Sequence, residues 1–368
     1  MSFLYNQMKK TDDSAYMKLY KQIKKNIVDG VYPYNTKIPS KRTLASEAGV
    51  SVISVEHAYD LLRDEGYIRS VEKSGYFVDF RATDGFSSFP EEMQSVNTSF
   101  NSNSNRLVFP VSVLSKTMRN ILTNRQDEIL LKSPNAGLPE FREAISKYLA
   151  RNKDIHTDPS AIVIGSGAEY LYNLIAGLIG SDRIFALEDP SYEKIRKVYK
   201  NANVKYVLLA LGNDGIESKA LNKTKAQVLH ISPFRSFPTG ISASASKRYE
   251  YIRWADSSDR IIVEDDFESE FSVLGKPVET LFSMATKDNV IYLNTFSKTI
   301  SPALRVGYMV LPEHLIDTFN KKLGFYSCTV PTFEQLVLTE LINNGSFERH
   351  INRIRRQLRS RQTNHEQQ

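Results

Sequence analysis

Ile291-Tyr292-Leu293-Asn294-Thr295-Phe296-Ser297-Lys298, with Arg305 seven residues beyond the lysine, is the stretch on which the fold of this chain turns. It has the form of an apolar strand that runs out into hydroxyl residues and delivers a lysine at its carboxyl end. Ile261-Ile262-Val263-Glu264-Asp265-Asp266, upstream, has the same form and delivers an aspartate. Open α/β sheets bind ligands at the carboxyl ends of their strands. An amine, a carboxylate and an anion anchor meeting there are what a pyridoxal 5'-phosphate (PLP) pocket requires. The amine forms a Schiff base with the aldehyde, the carboxylate keeps the pyridine nitrogen protonated, and hydroxyls with a guanidinium grip the phosphate. A solvated lysine at a strand end has the same local sequence, so the weight of the motif depends on its surroundings.

Those surroundings alternate helical and strand patterns. Residues 141–151 have helical periodicity. Ala161-Ile162-Val163-Ile164 is a strand that enters Gly165-Ser166-Gly167-Ala168, after which residues 170–179 are helical. A strand, a glycine turn and a helix present free backbone N–H groups at a positive helix end, a ready phosphate site. Residues 183–187 lead as a strand into Glu188-Asp189-Pro190-Ser191-Tyr192. Residues 204–209 and 227–231 are further strands, the second entering Ser232-Pro233-Phe234-Arg235-Ser236-Phe237-Pro238-Thr239-Gly240. This βα alternation predicts a doubly wound α/β sheet.

The first 80 residues read differently. Residues 14–28 place Met17, Tyr20, Ile23, Lys24 and Ile27 on one helical face, which Gly30 ends. Ser40 is an N-cap for a second short helix with Leu44 and Ala45 inward, and Gly49 suits the left-handed residue that closes it. Ser51 caps a third helix carrying Val55, Ala58, Tyr59, Leu61 and Leu62, which Gly66 stops. Tyr67-Ile68-Arg69 and Gly75-Tyr76-Phe77-Val78 follow as two short strands. Helix, helix–turn–helix and two-stranded ribbon make a winged helix-turn-helix, whose second motif helix enters the DNA major groove.

Residues 81–105 are rich in Ser and Asn and keep no periodicity, so a flexible linker is expected between a DNA-binding domain at 1–80 and an α/β domain at 106–368. At 368 residues, 41% hydrophobic and 24% charged, the chain has the composition of a globular protein of two or three domains. The net charge of +6 is uneven: residues 1–80 carry 12 basic and 10 acidic side chains, and residues 349–368 carry 6 and 1. In that basic tail Ile351, Ile354 and Leu358 recur at helical spacing, which predicts a surface helix with one buried stripe rather than a nucleic-acid tail. A lone cysteine, Cys328, excludes an intrachain disulfide and a Cys-rich zinc site. No apolar run suits a bilayer span, and Lys9-Lys10 precede no signal-type apolar region, so the cytoplasm is expected and no membrane partner.

Two resemblances cover nearly the whole chain. Ile38-Pro39-Ser40-Lys41-Arg42-Thr43-Leu44-Ala45, Val50-Ser51, Val55, Ala58-Tyr59, Leu62 and Glu65-Gly66-Tyr67-Ile68 closely resemble the GntR class of bacterial winged-helix regulators. That likeness implies binding of double-stranded DNA at promoter half-sites. It places Arg42, beside Ser40 and Lys41, on phosphate or base, Ser51, Ser54 and Glu56 at the leading end of the recognition helix, and Lys73 at the wing tip. Where relatives commonly carry a basic or amide residue after the helix-opening serine, Val52 and Ile53 stand here, so base reading is expected to rest on thymine methyls and Arg42.

Ala136-Gly137-Leu138-Pro139-Glu140-Phe141-Arg142, Ser166-Gly167-Ala168, Glu188-Asp189-Pro190-Ser191-Tyr192, Phe237-Pro238-Thr239-Gly240, Glu264-Asp265-Asp266-Phe267 and Thr295-Phe296-Ser297-Lys298 are collinear with fold type I PLP-dependent aminotransferases. Together the two halves resemble MocR-type transcriptional regulators. The likeness implies Lys298 as the Schiff-base lysine, Asp265 as the pyridinium partner and Tyr192 stacked on the ring. It places Ser166, Gly167, Ala168, Thr295, Ser297 and Arg305 on the phosphate. It also implies a homodimer, no metal, and an effector that is PLP or an amino compound captured by it.

Three departures stand out. Phe267 replaces the usual tyrosine, Arg235-Ser236 replaces the usual His-Gln, and the sequence ends at Gln368, where fold type I chains normally continue into a C-terminal subdomain that is expected to be missing here. That subdomain usually carries the arginine for a substrate carboxylate, so sensing is expected rather than turnover. A working aminotransferase would need Arg235 in that role, and a bare dimerisation scaffold would lack the cofactor.

Overall fold

The computed structural model describes residues 14–72, 74–80, 109–266, 268–271 and 279–365. Lys73, Phe267 and the expected linker lie outside the described residues. The chain divides into two compact units, residues 1–103 and 104–368.

In the first unit α1 (Ala15–Val28), α2 (Lys41–Ala48) and α3 (Val52–Asp64) precede the antiparallel ribbon of β1 (Ile68–Val71) and β2 (Gly75–Val78). α2 and α3 each start at a serine whose side chain satisfies a free N–H. Ser40 Oγ accepts from Thr43 N at 3.2 Å and Ser51 Oγ accepts from Ser54 N at 3.1 Å. Gly49 ends α2 in the left-handed region at φ 67°. Tyr20, Ile23 and Ile27 from α1 meet Val55, Ala58, Tyr59 and Leu62 from α3 over Ile68 and Val78, as the 3.6-residue spacing requires.

Among the described residues the second unit is built on eight strands: β3 (Ile162–Gly165), β4 (Ile184–Asp189), β5 (Lys205–Gly212), β6 (Gly215–Ile216), β7 (Val228–Ile231), β8 (Ile261–Asp265), β9 (Val290–Thr295) and β10 (Gly307–Val310). They lie in the order β3-β10-β9-β8-β7-β4-β5-β6. The run from β9 to β5 is parallel, while β10 is antiparallel to both β9 and β3, so β3 points the same way as the parallel strands. The near-continuous apolar runs of β8 and β9 follow from burial on both faces.

The helices of this unit are α4 (Val111–Asn124), α5 (Gln126–Ile129), α6 (Pro139–Lys153), α7 (Ala168–Ile179), α8 (Glu193–Asn201), α9 (Ser218–Lys223), α10 (Ala245–Asp256), α11 (Leu281–Met284), α12 (Glu313–Leu323), α13 (Thr332–Asn343) and α14 (Ser346–His365). α7, α8 and α12 cover one face, with Leu171, Ile175, Ile195 and Phe319 packed on Val163, Val263, Ile291 and Leu293. On the other face α6, α13 and α14 bury Phe141, Leu338 and Phe347 against Tyr292 and Tyr308, and α9 to α11 cover Leu229 and Ile262. Alternate residues of β8 and β9 thus feed opposite cores. The basic α14 buries Ile351 and Ile354 and half-buries Leu358, the expected stripe.

Two differences from the sequence reading have local causes. β4 runs on through Glu188 and Asp189 because their backbones pair with Leu209 and Ala210. α7 begins at Ala168, two residues early, since Gly167 at φ 93° is already the turn.

Candidate functional site

The carboxyl ends of β3, β4, β7, β8 and β9 open on one edge of the sheet, around a cavity of about 320 Å³. Seven of the nine expected pocket residues stand on its walls: Ala168, Tyr192, Asp265, Thr295, Ser297, Lys298 and Arg305. Ser166 and Gly167 do not. Ser166 N donates to Thr329 Oγ1 at 3.0 Å, and Gly167 lies against Arg305, where an added Cβ would come within 3.0 Å of Nη2.

Asp265 ends β8 and is buried. It accepts a hydrogen bond from the Tyr172 hydroxyl on α7, and His230 Nε2 from β7 faces its Oδ2 at 3.8 Å. The Tyr199 hydroxyl is 2.6 Å from His230 Nδ1. Burial and the nearby Asp265 charge keep both tyrosines protonated, their pKa values raised well above the usual phenol. A Tyr199 hydroxyl that donates to Nδ1 leaves the ring proton on Nε2, facing Asp265. The carboxylate is therefore bonded by Tyr172 on one side and faced by His230 on the other.

The cations at the mouth are paired. Lys298 Nζ lies 3.1 Å from Glu268 Oε1, whose other oxygen lies 3.0 Å from Arg235 Nη1. Arg305 Nη2 and Lys194 Nζ each lie 2.6 Å from one oxygen of Glu169. Burial pushes the Glu169 carboxyl up, but these donors outweigh it and hold it at about 2. Glu188, at the back of the cavity, is pushed up to about 7 by burial, against the opposing bonds from Ser236 Oγ at 2.9 Å and Ser232 N at 3.4 Å. Tyr192 meets Phe237 edge to face, ring centroids 5.6 Å apart.

Sequence reasoning missed Tyr172, Glu169, Glu268 and His230. The first two sit one helical turn apart on α7, where i and i+3 share a face, and this spacing was the available signal. Glu268 and His230 reach the site only through loop and strand geometry.

In the first unit Arg42 is exposed on the first turn of α2, while Lys41 and Glu56 neutralise each other at 2.5 Å. Ser51 is engaged as the α3 cap, and its hydroxyl lies 3.0 Å from that of Ser54. Val52 and Ile53 are 44% and 64% exposed on the leading turn of α3.

The family profile described as aminotransferase class I and II matches residues 96–366, and that of bacterial regulatory proteins, gntR family, matches residues 15–78. The HTH-type transcriptional regulator YdeL of Bacillus subtilis is 30% identical over 361 residues, covering 95% of this chain and 78% of the relative. The pyridoxine biosynthesis transcriptional regulator PdxR of Corynebacterium glutamicum is 26% identical over 356 residues, covering 94% and 76%. The probable rhizopine catabolism regulatory protein MocR of Rhizobium meliloti is 24% identical over 375 residues, covering 95% and 76%.

Among solved structures, Pyrococcus horikoshii kynurenine aminotransferase, in complex with PMP, superposes with a TM-score of 0.62 at 26% identity, covering 67% of this chain and 64% of that one. LysN, the α-aminoadipate aminotransferase of Thermus thermophilus, complexed with N-(5'-phosphopyridoxyl)-L-leucine, gives 0.59 at 25% identity with the same coverage. The chain thus spans about three quarters of the length of these curated regulators and just under two thirds of the solved enzymes. It belongs to the aminotransferase class I and II family and, within it, to the MocR-type transcriptional regulators, which join a GntR-type winged helix to an aminotransferase-like domain.

Proposed function

We propose that the cavity takes PLP and that its occupancy, by PLP alone or with an amino compound captured by it, sets promoter binding by the winged-helix unit. The observation that carries this reading is that Asp265, at the end of β8, and Lys298 and Arg305, both in the connection from β9 to β10, stand on the walls of one cavity. The donor set fits the cofactor: a buried, doubly supported carboxylate for a protonated ring nitrogen, an amine, and a guanidinium with the Thr295 and Ser297 hydroxyls beside a helix start. When bound, PLP supplies an aldehyde that condenses with amines and a ring that withdraws electrons.

The residues do the rest. Lys298 would offer the amine to the aldehyde, which requires its ion pair with Glu268 to open. Asp265, with Tyr172 and His230 beside it, would hold the proton on the ring nitrogen. Arg305, Thr295 and Ser297 would hold the phosphate, with the backbone of Ser166, Gly167 and Ala168 forming the nearby turn. Tyr192 would pack against the ring. Turnover would need an arginine for a substrate carboxylate, and Arg235 is engaged with Glu268. Fusion to a DNA-binding unit favours sensing. Two copies of the chain, each presenting one winged helix to one half-site, would make the promoter complex. Two further supports bear on location: no helix of the described residues is long and apolar enough to cross a membrane, and a DNA-binding protein works where DNA is.

The test is the visible absorption spectrum of the full chain with PLP, followed by borohydride reduction and peptide mapping. A covalent pyridoxyl group on Lys298, lost in Lys298→Ala, is expected. A pyridoxyl group mapped only to other lysines would overturn the reading.

A further inference from the structure

We infer that Glu169 is a built-in anion at the phosphate end of the cavity, competing with the phosphate group for Arg305 and Lys194, so that PLP is held as an exchangeable ligand rather than a resident one. The inference rests on the pocket reading above and deepens it.

Glu169 is the second residue of α7 and lines the cavity. Its two oxygens divide between the two cations nearest that helix start, Arg305 Nη2 and Lys194 Nζ, each at 2.6 Å. Gly167 allows the guanidinium to lie this close, because a Cβ there would approach Nη2 to 3.0 Å. The carboxylate remains ionised throughout the ordinary pH range, held at about 2 by these partners against the upward push of burial. A negative group at a helix start, bridged by two cations, is the arrangement a bound phosphate would take. The protein supplies that group itself.

A phosphate arriving at this end meets one of two situations. It displaces the carboxylate from Arg305 and Lys194 and leaves it half-buried without its cationic partners, or it binds beside a like charge. Both costs fall on the phosphate, and neither touches the ring, the aldehyde or Asp265. Affinity for pyridoxal, which lacks the phosphate, is therefore independent of Glu169, whereas affinity for PLP is limited by it. Occupancy then follows the concentration of the free ligand, which is what a sensor requires.

The experiment titrates the full chain and its Glu169→Gln and Glu169→Ala variants with PLP and with pyridoxal, followed by absorbance. Thermal melting of each protein checks the fold, and dialysis measures retention. Both variants are expected to bind PLP at least about tenfold more tightly, roughly 1.4 kcal/mol, and to retain it on dialysis where the native chain releases it. Pyridoxal affinity should stay within about threefold. PLP affinity that is unchanged or lower in folded variants, or an equal gain for pyridoxal, would overturn the competition. Failure of every folded protein to bind either compound would instead overturn the pocket reading, and this inference with it.

Discussion

Glu264, Asp265 and Asp266 carry three adjacent carboxyl groups into different surroundings because a strand alternates its faces. Asp265 faces Tyr172 and His230 at the cavity. Glu264 points to the opposite face, where Leu281 N and Phe282 N donate to it at 2.8 and 2.9 Å, and burial still pushes it up to about 8. Asp266 takes Lys153 Nζ at 2.8 Å and the Tyr292 hydroxyl at 2.5 Å. Only the middle carboxylate serves the cavity. Asp265→Asn should therefore weaken PLP binding by about 1.5–3 kcal/mol, the range of a desolvated charge-assisted bond, whereas exposed Asp259→Asn should leave it unchanged; absorbance titration of both variants checks this.

Glu188 makes a separate prediction about pH. Its carboxyl is raised on folding from an ordinary 4.5 to about 7 by burial. The fold thus favours the neutral form, and the stability this group contributes is complete below about pH 4.5 and lost as pH climbs through 7. The loss is on the order of 3 kcal/mol. Urea unfolding between pH 5 and 8 should show a downward slope that Glu188→Gln reduces, while Glu264, shifted the same way, keeps part of it.

At the scale of the element, the helix starts and stops of the winged unit are set by single residues. Gly49 sits at φ 67° with nothing within 4 Å of where a Cβ would be, so Gly49→Ala meets conformational strain and no clash. It should cost about 1–2 kcal/mol. Ser51→Ala removes the α3 cap and should cost about 1 kcal/mol. Leu62, fully buried against α1, should cost about 2–5 kcal/mol as Leu62→Ala. Calorimetry of the full chain, following the transition of the winged unit, orders these three. Equal losses for Ser51→Ala and Leu62→Ala would contradict the packing described for α3.

At the scale of the molecule, the first 80 residues carry a net charge of only +2, and a single winged helix buries little surface on DNA. Tight binding should need two copies of the chain on two half-sites, with affinity falling steeply as salt rises. Gel-shift and sedimentation measurements on a promoter fragment selected from a random library check both. Arg42→Ala should weaken binding; equal loss on all sequences marks a phosphate contact, and relaxed preference at one base pair marks base readout. A chain that remains monomeric on a two-site fragment would remove the paired-half-site part of the proposal.

Local sequence was sufficient for whatever depends on neighbours along the chain. The caps at Ser40 and Ser51, the left-handed Gly49, the apolar strands β8 and β9 and the buried stripe of α14 all follow from spacing and backbone preference, and each was legible without a partner. Lys298, Asp265 and Arg305 stood out as candidates because chemistry at strand ends is a local pattern, and all three stand on the cavity wall. What only the tertiary structure decided is who faces whom. The pairing of antiparallel β10 with β3 joins residues more than a hundred positions apart, and no local signal encodes it. The grip of Glu169 on Arg305 spans 136 positions, and the approach of His230 to Asp265 spans a strand boundary. Such contacts come from the packing of strands and helices as whole bodies, whose geometry is a sum over the core rather than a property of any segment.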